Sequence, residues 1–128
     1  MGKVLYQIGK FLFNLYFIII HRRKVSGTEN IPDSGPVLVM ANHQSYGDPP
    51  LVGTVIDRQV FFLAKKELFN NSLFGWILKK IGVIPIKRGK PDRRALRNSL
   101  QILKDNKILG VFPEGTRNKS KKLKKAQP

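Results

Sequence analysis

The sequence predicts an α/β fold, a mainly parallel sheet with flanking helices, and two observations carry that prediction. Four short apolar runs stand at Val37 to Ala41, Val60 to Ala64, Val83 to Ile86 and Ile108 to Phe112. They are continuous rather than alternating, the pattern of strands covered on both faces. Between them lie segments with helical spacing and helix-start residues, and strands that alternate with helices are expected to run parallel. A chain of 128 residues forms one domain with a modest core.

The elements follow in order. Val4 to Ile20 is mostly apolar and aromatic, interrupted by Gln7, Lys10 and Asn14, and His21-Arg22-Arg23-Lys24 comes next. The run is short for a membrane span, which needs about 20 apolar residues. No small-residue cleavage site follows, so a secretory leader is not indicated. An interfacial helix over 1–24, its basic cluster on anionic headgroups, is expected ahead of a buried core helix. Ser26 to Pro36 is a loop by its turn residues. Pro49 and Pro50 suit the first turn of a helix that carries Leu51 to Ile56. Asn71 or Ser72 caps a helix holding Leu73, Phe74, Trp76, Ile77 and Leu78. Pro85 places the third strand at an end or an edge. Pro91 is expected to open the clearest helix, with Leu96, Leu100 and Leu103 on its apolar stripe and Arg93, Arg94 and Arg97 off it. The tail from Asn118 is lysine-rich without apolar periodicity.

Composition narrows the function. Lys and Arg number 24 against 8 Asp and Glu, a formal charge of +16, which favours an anionic partner. Neither zinc-finger spacing nor an RNA-binding aromatic signature accompanies the charge, so no nucleic-acid partner is expected. The absence of cysteine removes disulfides, thiolate metal sites and a cysteine nucleophile. Two distant histidines and few carboxylates make poor metal spacing, so no metal is expected.

The residues with chemistry cluster after strands. Asn42-His43-Gln44-Ser45-Tyr46-Gly47-Asp48 directly follows the first apolar run. An imidazole takes a proton near neutral pH, and a carboxylate holds it in one tautomer. His43 is therefore the candidate general base and Asp48 its orienting partner. The five-residue spacing requires a turn, for which Gly47 supplies flexibility. Asp48 before Pro49 also fits a helix N-cap, and Asn42 is expected to hydrogen-bond the turn. Ser45 offers a rival nucleophile, but no Gly-x-Ser-x-Gly elbow surrounds it. Arg88 and Arg117 each follow a strand, and a guanidinium fork suits phosphate. Lys87 is ambiguous, and Glu114 and Arg117 have an alternative as a structural pair.

Taken in order, the His43 to Asp48 block, Gly82-Val83-Ile84-Pro85-Ile86-Lys87-Arg88 and Phe112-Pro113-Glu114-Gly115-Thr116-Arg117 resemble the glycerolipid acyltransferase family, from about Val25 to Asn118. The resemblance implies a glycerol-phosphate acyltransferase-like fold over 25–128. It implies acyl transfer from acyl-CoA or acyl-carrier protein, as co-substrate and without a cofactor, to the free hydroxyl of lysophosphatidic acid. His43 and Asp48 would be catalytic, Arg88 would bind the acceptor phosphate, and Glu114, Gly115, Thr116 and Arg117 would help to bind the glycerol phosphate. Family members continue through a fourth, proline-bearing motif that nothing here matches, so the chain is expected to be the N-terminal portion of a longer catalytic domain. A membrane-associated enzyme on the cytoplasmic face follows. The rivals are an acyltransferase with another acceptor, such as glycerol 3-phosphate or another lysophospholipid, and a non-catalytic basic membrane-binding fragment.

Overall fold

The computed structural model describes residues 1–114, 122, 125 and 126. Its elements are α1 (Gly2–Ile19), β1 (Val37–Met40), α2 (Asp48–Val55), β2 (Val60–Lys65), α3 (Ser72–Lys80), β3 (Ile84–Ile86), α4 (Arg93–Lys104) and β4 (Ile108–Val111). The four strands form one sheet in the order β1-β4-β2-β3. All three pairings are parallel, with Met40 beside Val111, Phe62 beside Gly110 and Leu63 beside Ile84. The expected fold class is therefore present, and β3, with Pro85, is an edge strand as its proline requires. The chain passes from β1 to β2 and β3 and then returns to insert β4 between β1 and β2.

Two cores form because successive strand residues face opposite ways. Val60, Phe62 and Ile108 pack on Ile56 with Val37, Val39 and Val52, on the face that α2 closes. Leu63, Leu109 and Val111 pack on the other face with Ala95, Ile102 and Leu103 of α4. Ile108 is fully buried. Ile108→Ala is expected to destabilise the domain by about 2–5 kcal/mol, from lost transfer energy plus a cavity. A urea midpoint that does not move would refute that placement of the core.

Three expectations about helices need correction. Pro91 does not begin α4. Asp92 is its N-cap, and its carboxylate accepts from the Arg94 and Ala95 N–H groups at 3.1 and 3.0 Å. The buried residues of α4 are Ala95 and Ser99; of the expected leucine stripe, Leu103 packs on the sheet, while Leu96 and Leu100 are 61% and 50% exposed. Small side chains let the helix approach the sheet, so Leu96 and Leu100 fall to its flank. Asn71, by contrast, caps α3 as expected, accepting from Phe74 N–H at 2.9 Å.

The third correction concerns the basic cluster after α1, while the helix itself is apolar on its outer face. Tyr6, Lys10, Asn14 and Phe17 share one face and dock on α2 and its surroundings. The Tyr6 hydroxyl accepts from Val60 N–H at 3.1 Å, and Lys10 Nζ donates to the Ile56 and Asp57 carbonyls at 2.6 and 3.1 Å. Burial holds the Lys10 ammonium below its usual pKa, partly offset by Asp57. Phe17 is buried. Val4, Ile8, Phe11, Leu15 and Ile18, on the opposite face at helical spacing, are all exposed. Two of the polar residues that interrupt the apolar run thus face the protein, whereas Gln7 is exposed. Arg23, expected at headgroups with Arg22 and Lys24, instead donates to Thr54 Oγ1 and Asn14 Oδ1. No helix among the described residues is long and apolar enough to cross a membrane.

Candidate active site

The candidate site grows from the end of β1. The strand stops at Met40, and the next residues form a turn that closes on Asp48, the first residue of α2. His43 Nδ1 lies 2.9 Å from Asp48 Oδ2. In the tautomer that this carboxylate selects, Nδ1–H donates and the Nε2 lone pair is left over. Nε2 makes no hydrogen bond to a described residue. The same Oδ2 accepts from Gln44 N–H at 2.6 Å and Ser45 N–H at 2.8 Å. The two side chains are 12% and 21% exposed, so the pair is shielded yet reachable.

The N-cap reading of Asp48 fails, and the reason is local. The cap position is Gly47, without a side-chain bond. Pro49 and Pro50 have no N–H to offer a capping carboxylate. The side chain of Asp48 therefore turns back to the donors of the preceding turn. Burial raises its pKa, but the bonds from Ser45 N–H, Gln44 N–H and His43 outweigh that and hold the carboxyl below its usual value.

Other expectations about the turn change too. Gly47 has φ −77°, an ordinary helical value, so conformational freedom is not its contribution. A Cβ there would instead stand 3.3 Å from Ser45 Oγ and 3.9 Å from Phe17 Cζ of α1. Ser45 Oγ accepts from Gly47 N–H at 3.1 Å and makes no bond to His43. Asn42 is exposed, and its side chain bonds no described residue.

Phe112 is a participant that the sequence showed only as part of a block. Its ring stacks on the His43 imidazole with centroids 4.5 Å apart, and it stacks in turn on Phe62 at 5.9 Å. The imidazole thus rests on the core that α2 closes, on the same side of the sheet as α1. An aromatic one residue past a strand adjacent to β1 is the signal that could have found it, but only with the strand order known.

Because all strands run parallel, Arg88 after β3 and Glu114 after β4 lie at the same rim as His43. β1 and β3 are the two outer strands, three spacings or roughly 14 Å apart. Arg88 is exposed. Its neighbour Lys87 is held through its backbone, since Lys87 N–H donates to Asp92 Oδ2 at 2.9 Å. Asp92 therefore fixes both the start of α4 and the loop that carries Arg88. Glu114 is 4% exposed. Gly115, Thr116 and Arg117 lie outside the described residues, and with them the question of a Glu114–Arg117 pair. Among the described residues, no group of three His, Cys, Asp or Glu side chains is placed to hold a metal ion.

Comparison with known proteins gives this rim a family. A family model described as Acyltransferase matches residues 22–128. A 1-acyl-sn-glycerol-3-phosphate acyltransferase of Bacillus subtilis (strain 168) is 34% identical over 112 residues, 84% of this chain and 56% of its own length. A lyso-ornithine lipid O-acyltransferase of Pseudomonas aeruginosa is 37% identical over 90 residues, 70% of this chain and 34% of its own. The crystal structure of the 1-acyl-sn-glycerophosphate acyltransferase of Thermotoga maritima superposes with a TM-score of 0.66 and 34% identity, covering 91% of this chain and 45% of that one. The chain thus spans about half the length of such relatives, or less. With the model matching from Arg22 onward and the same fold in a solved relative, the chain belongs to the acyltransferase family.

Proposed function

We propose that this chain carries the catalytic rim of an enzyme that transfers a fatty acyl group to the free hydroxyl of 1-acylglycerol 3-phosphate, giving phosphatidic acid. The observation that carries this reading is the His43–Asp48 pair at the end of β1, with Nε2 left to act as base. The donor is a thioester, acyl-CoA or acyl-carrier protein, and the reaction needs no cofactor or metal.

The steps balance on His43 alone. Nε2 takes the proton of the acceptor hydroxyl as its oxygen attacks the thioester carbonyl carbon. The Asp48 carboxylate holds the ring and stabilises the imidazolium. The tetrahedral intermediate collapses, the C–S bond breaks, and the imidazolium returns its proton to the sulfur. An ester and a free thiol result. Arg88 is the proposed anchor for the acceptor phosphate, and Glu114, Gly115, Thr116 and Arg117 form the second part of that subsite. Membrane attachment on the cytoplasmic face fits an acceptor and a product that reside in the bilayer. The support for it is the exposed apolar stripe of α1, on the side of the sheet where the His43 ring stacks.

One experiment tests the assignment. Radiolabelled acyl-CoA and acyl-carrier protein are offered with lysophosphatidic acid, glycerol 3-phosphate, other lysophospholipids and lyso-ornithine lipid. Transfer to lysophosphatidic acid is expected. No transfer to any acceptor would leave a non-catalytic, basic membrane-binding unit instead. The Pseudomonas aeruginosa relative favours a second reading, another acceptor at the same base.

Arg88 separates the two. Arg88→Ala and Arg117→Ala are each expected to raise KM for phosphate-bearing acceptors about 10- to 100-fold, the worth of a charge-assisted hydrogen bond. Arg88→Lys is expected to recover only part, because an ammonium lacks the fork. Saturation curves that match the parent in both alanine variants would remove these arginines from the subsite.

A further inference from the structure

The outward face of α3 is apolar, and a backbone contact sets it so. Gly75 is the buried residue of this helix. A Cβ there would collide with the Phe69 carbonyl, so the helix packs on the turn before it through bare backbone. With Gly75 inward, the opposite face meets solvent. Leu73, Trp76 and Lys80 recur on that face at helical spacing, and Phe74 stands at its flank. Leu73, Phe74 and Trp76 are 68%, 47% and 44% exposed. Lys80 Nζ lies 5.9 Å from the Trp76 ring centroid, a cation–π contact. Lys79 and Lys80 close the helix, which contains no acidic residue. Glu67 in the preceding turn stands next to Lys65 and Lys66.

The fold sets this face beside α1. Crossovers between parallel strands are right-handed. The steps from β1 to β2 and from β2 to β3 run the same way across the sheet, so α2 and α3 fall on one face. The step from β3 to β4 runs back, and α4 packs on the other face. α1 lies on α2, and its first turn meets the carbonyl end of α3 at Gly2 and Lys80. The exposed stripe of α1 and the exposed side chains of α3 are therefore on the same side of the sheet.

The chemistry of the patch selects a bilayer as its cover. A tryptophan beside lysines, with leucine and phenylalanine around it, is the composition of a helix lying in the lipid interface. The lysine stems reach back to the phosphates while the rings enter the acyl boundary. A net charge of +16 suits an anionic surface.

We propose that α3 is a second membrane-contact element, with Leu73, Phe74 and Trp76 entering the boundary between headgroups and acyl chains of an anionic bilayer and Lys79 and Lys80 at its phosphates. A single helix on a surface can roll about its own axis. A second contact beside it fixes the plane of the domain, and with it the approach of the His43 rim to the lipid. Membrane attachment through α1 is presupposed, and the measurements separate its failure from that of α3.

Trp76 is the one tryptophan of the chain, so its emission reports α3 directly. The full chain is titrated with vesicles of phosphatidylglycerol and phosphatidylcholine, and co-sedimentation is read on the same samples. In bound protein the emission is expected to shift to shorter wavelength, to lose its quenching by acrylamide and to be quenched by lipids with brominated acyl chains. Leu73→Asp, a change at an exposed position, is expected to weaken partitioning about tenfold or more, the weight of one buried large apolar side chain. Bound protein whose Trp76 stays open to acrylamide and is untouched by bromine overturns the α3 contact and leaves attachment through α1 in place. A parent chain that does not co-sediment overturns both. An emission shift that appears without lipid and grows with protein concentration also overturns the α3 contact, because a second copy then covers the patch.

Discussion

Purified His43→Ala, folded as judged by circular dichroism, is expected to transfer acyl groups about 100- to 10,000-fold more slowly than the parent, the range for a general base. Among the described residues, removing the imidazole leaves no other ring nitrogen at the rim held by a carboxylate. Asp48→Asn is expected to be less severe. An amide oxygen still accepts from Gln44 and Ser45 N–H, so the turn survives, but the imidazolium loses its counter-charge. The pH behaviour follows from the sign of the Asp48 shift. Its pKa is held below the ordinary carboxylate value of about 4, so it stays ionised at every pH above that value. The stability it contributes is present well above the ordinary carboxylate value and is lost progressively as pH falls from there through its lower folded value. Loss of rate on acidification between about pH 7 and 5 therefore belongs to another group, because a carboxyl of ordinary pKa near 4 is already ionised there. Turnover by His43→Ala within a few-fold of the parent would end the general-base mechanism.

The second large effect is expected at the membrane. Ile8→Ser, Phe11→Ser and Leu15→Ser together should abolish most binding to anionic liposomes while leaving the fold intact. These side chains share the exposed face of α1, opposite Tyr6, Lys10, Asn14 and Phe17. A surface helix of a water-soluble domain has the reverse arrangement, and an exposed apolar patch of this extent marks an interaction site. Burying each large side chain is worth about 1.5–3 kcal/mol. Three of them represent at least about three decades of partitioning. Deleting residues 1–24 is a poorer test, because it also removes the bonds of Tyr6 and Lys10 to the α2–β2 region and the buried Phe17. Liposome co-sedimentation of the triple variant equal to that of the parent would assign α1 to the protein alone.

What the sequence determined by itself was whatever depends on near neighbours. The strands were legible because burial on both faces makes continuous apolar runs, and the α3 cap because Asn71 sits three residues from its donor. The His43–Asp48 pair was legible for the same reason, being five residues apart across one turn. What only the tertiary structure decided was whatever depends on distant segments meeting. The position of β4 between β1 and β2 is one such case, and with it the stacking of Phe112 on His43. The inverted seating of α1 is another, since Lys10 is satisfied by carbonyls some 46 residues away. The phase of α4 is a third, where contact with the sheet selects Ala95 and Ser99 over the larger leucines beside them. Even the release of Asp48 from capping required the whole turn: two prolines withhold their donors, and the carboxylate takes the next ones within reach. Local spacing fixes which groups can meet across a turn, and packing fixes which face of each element is turned inward.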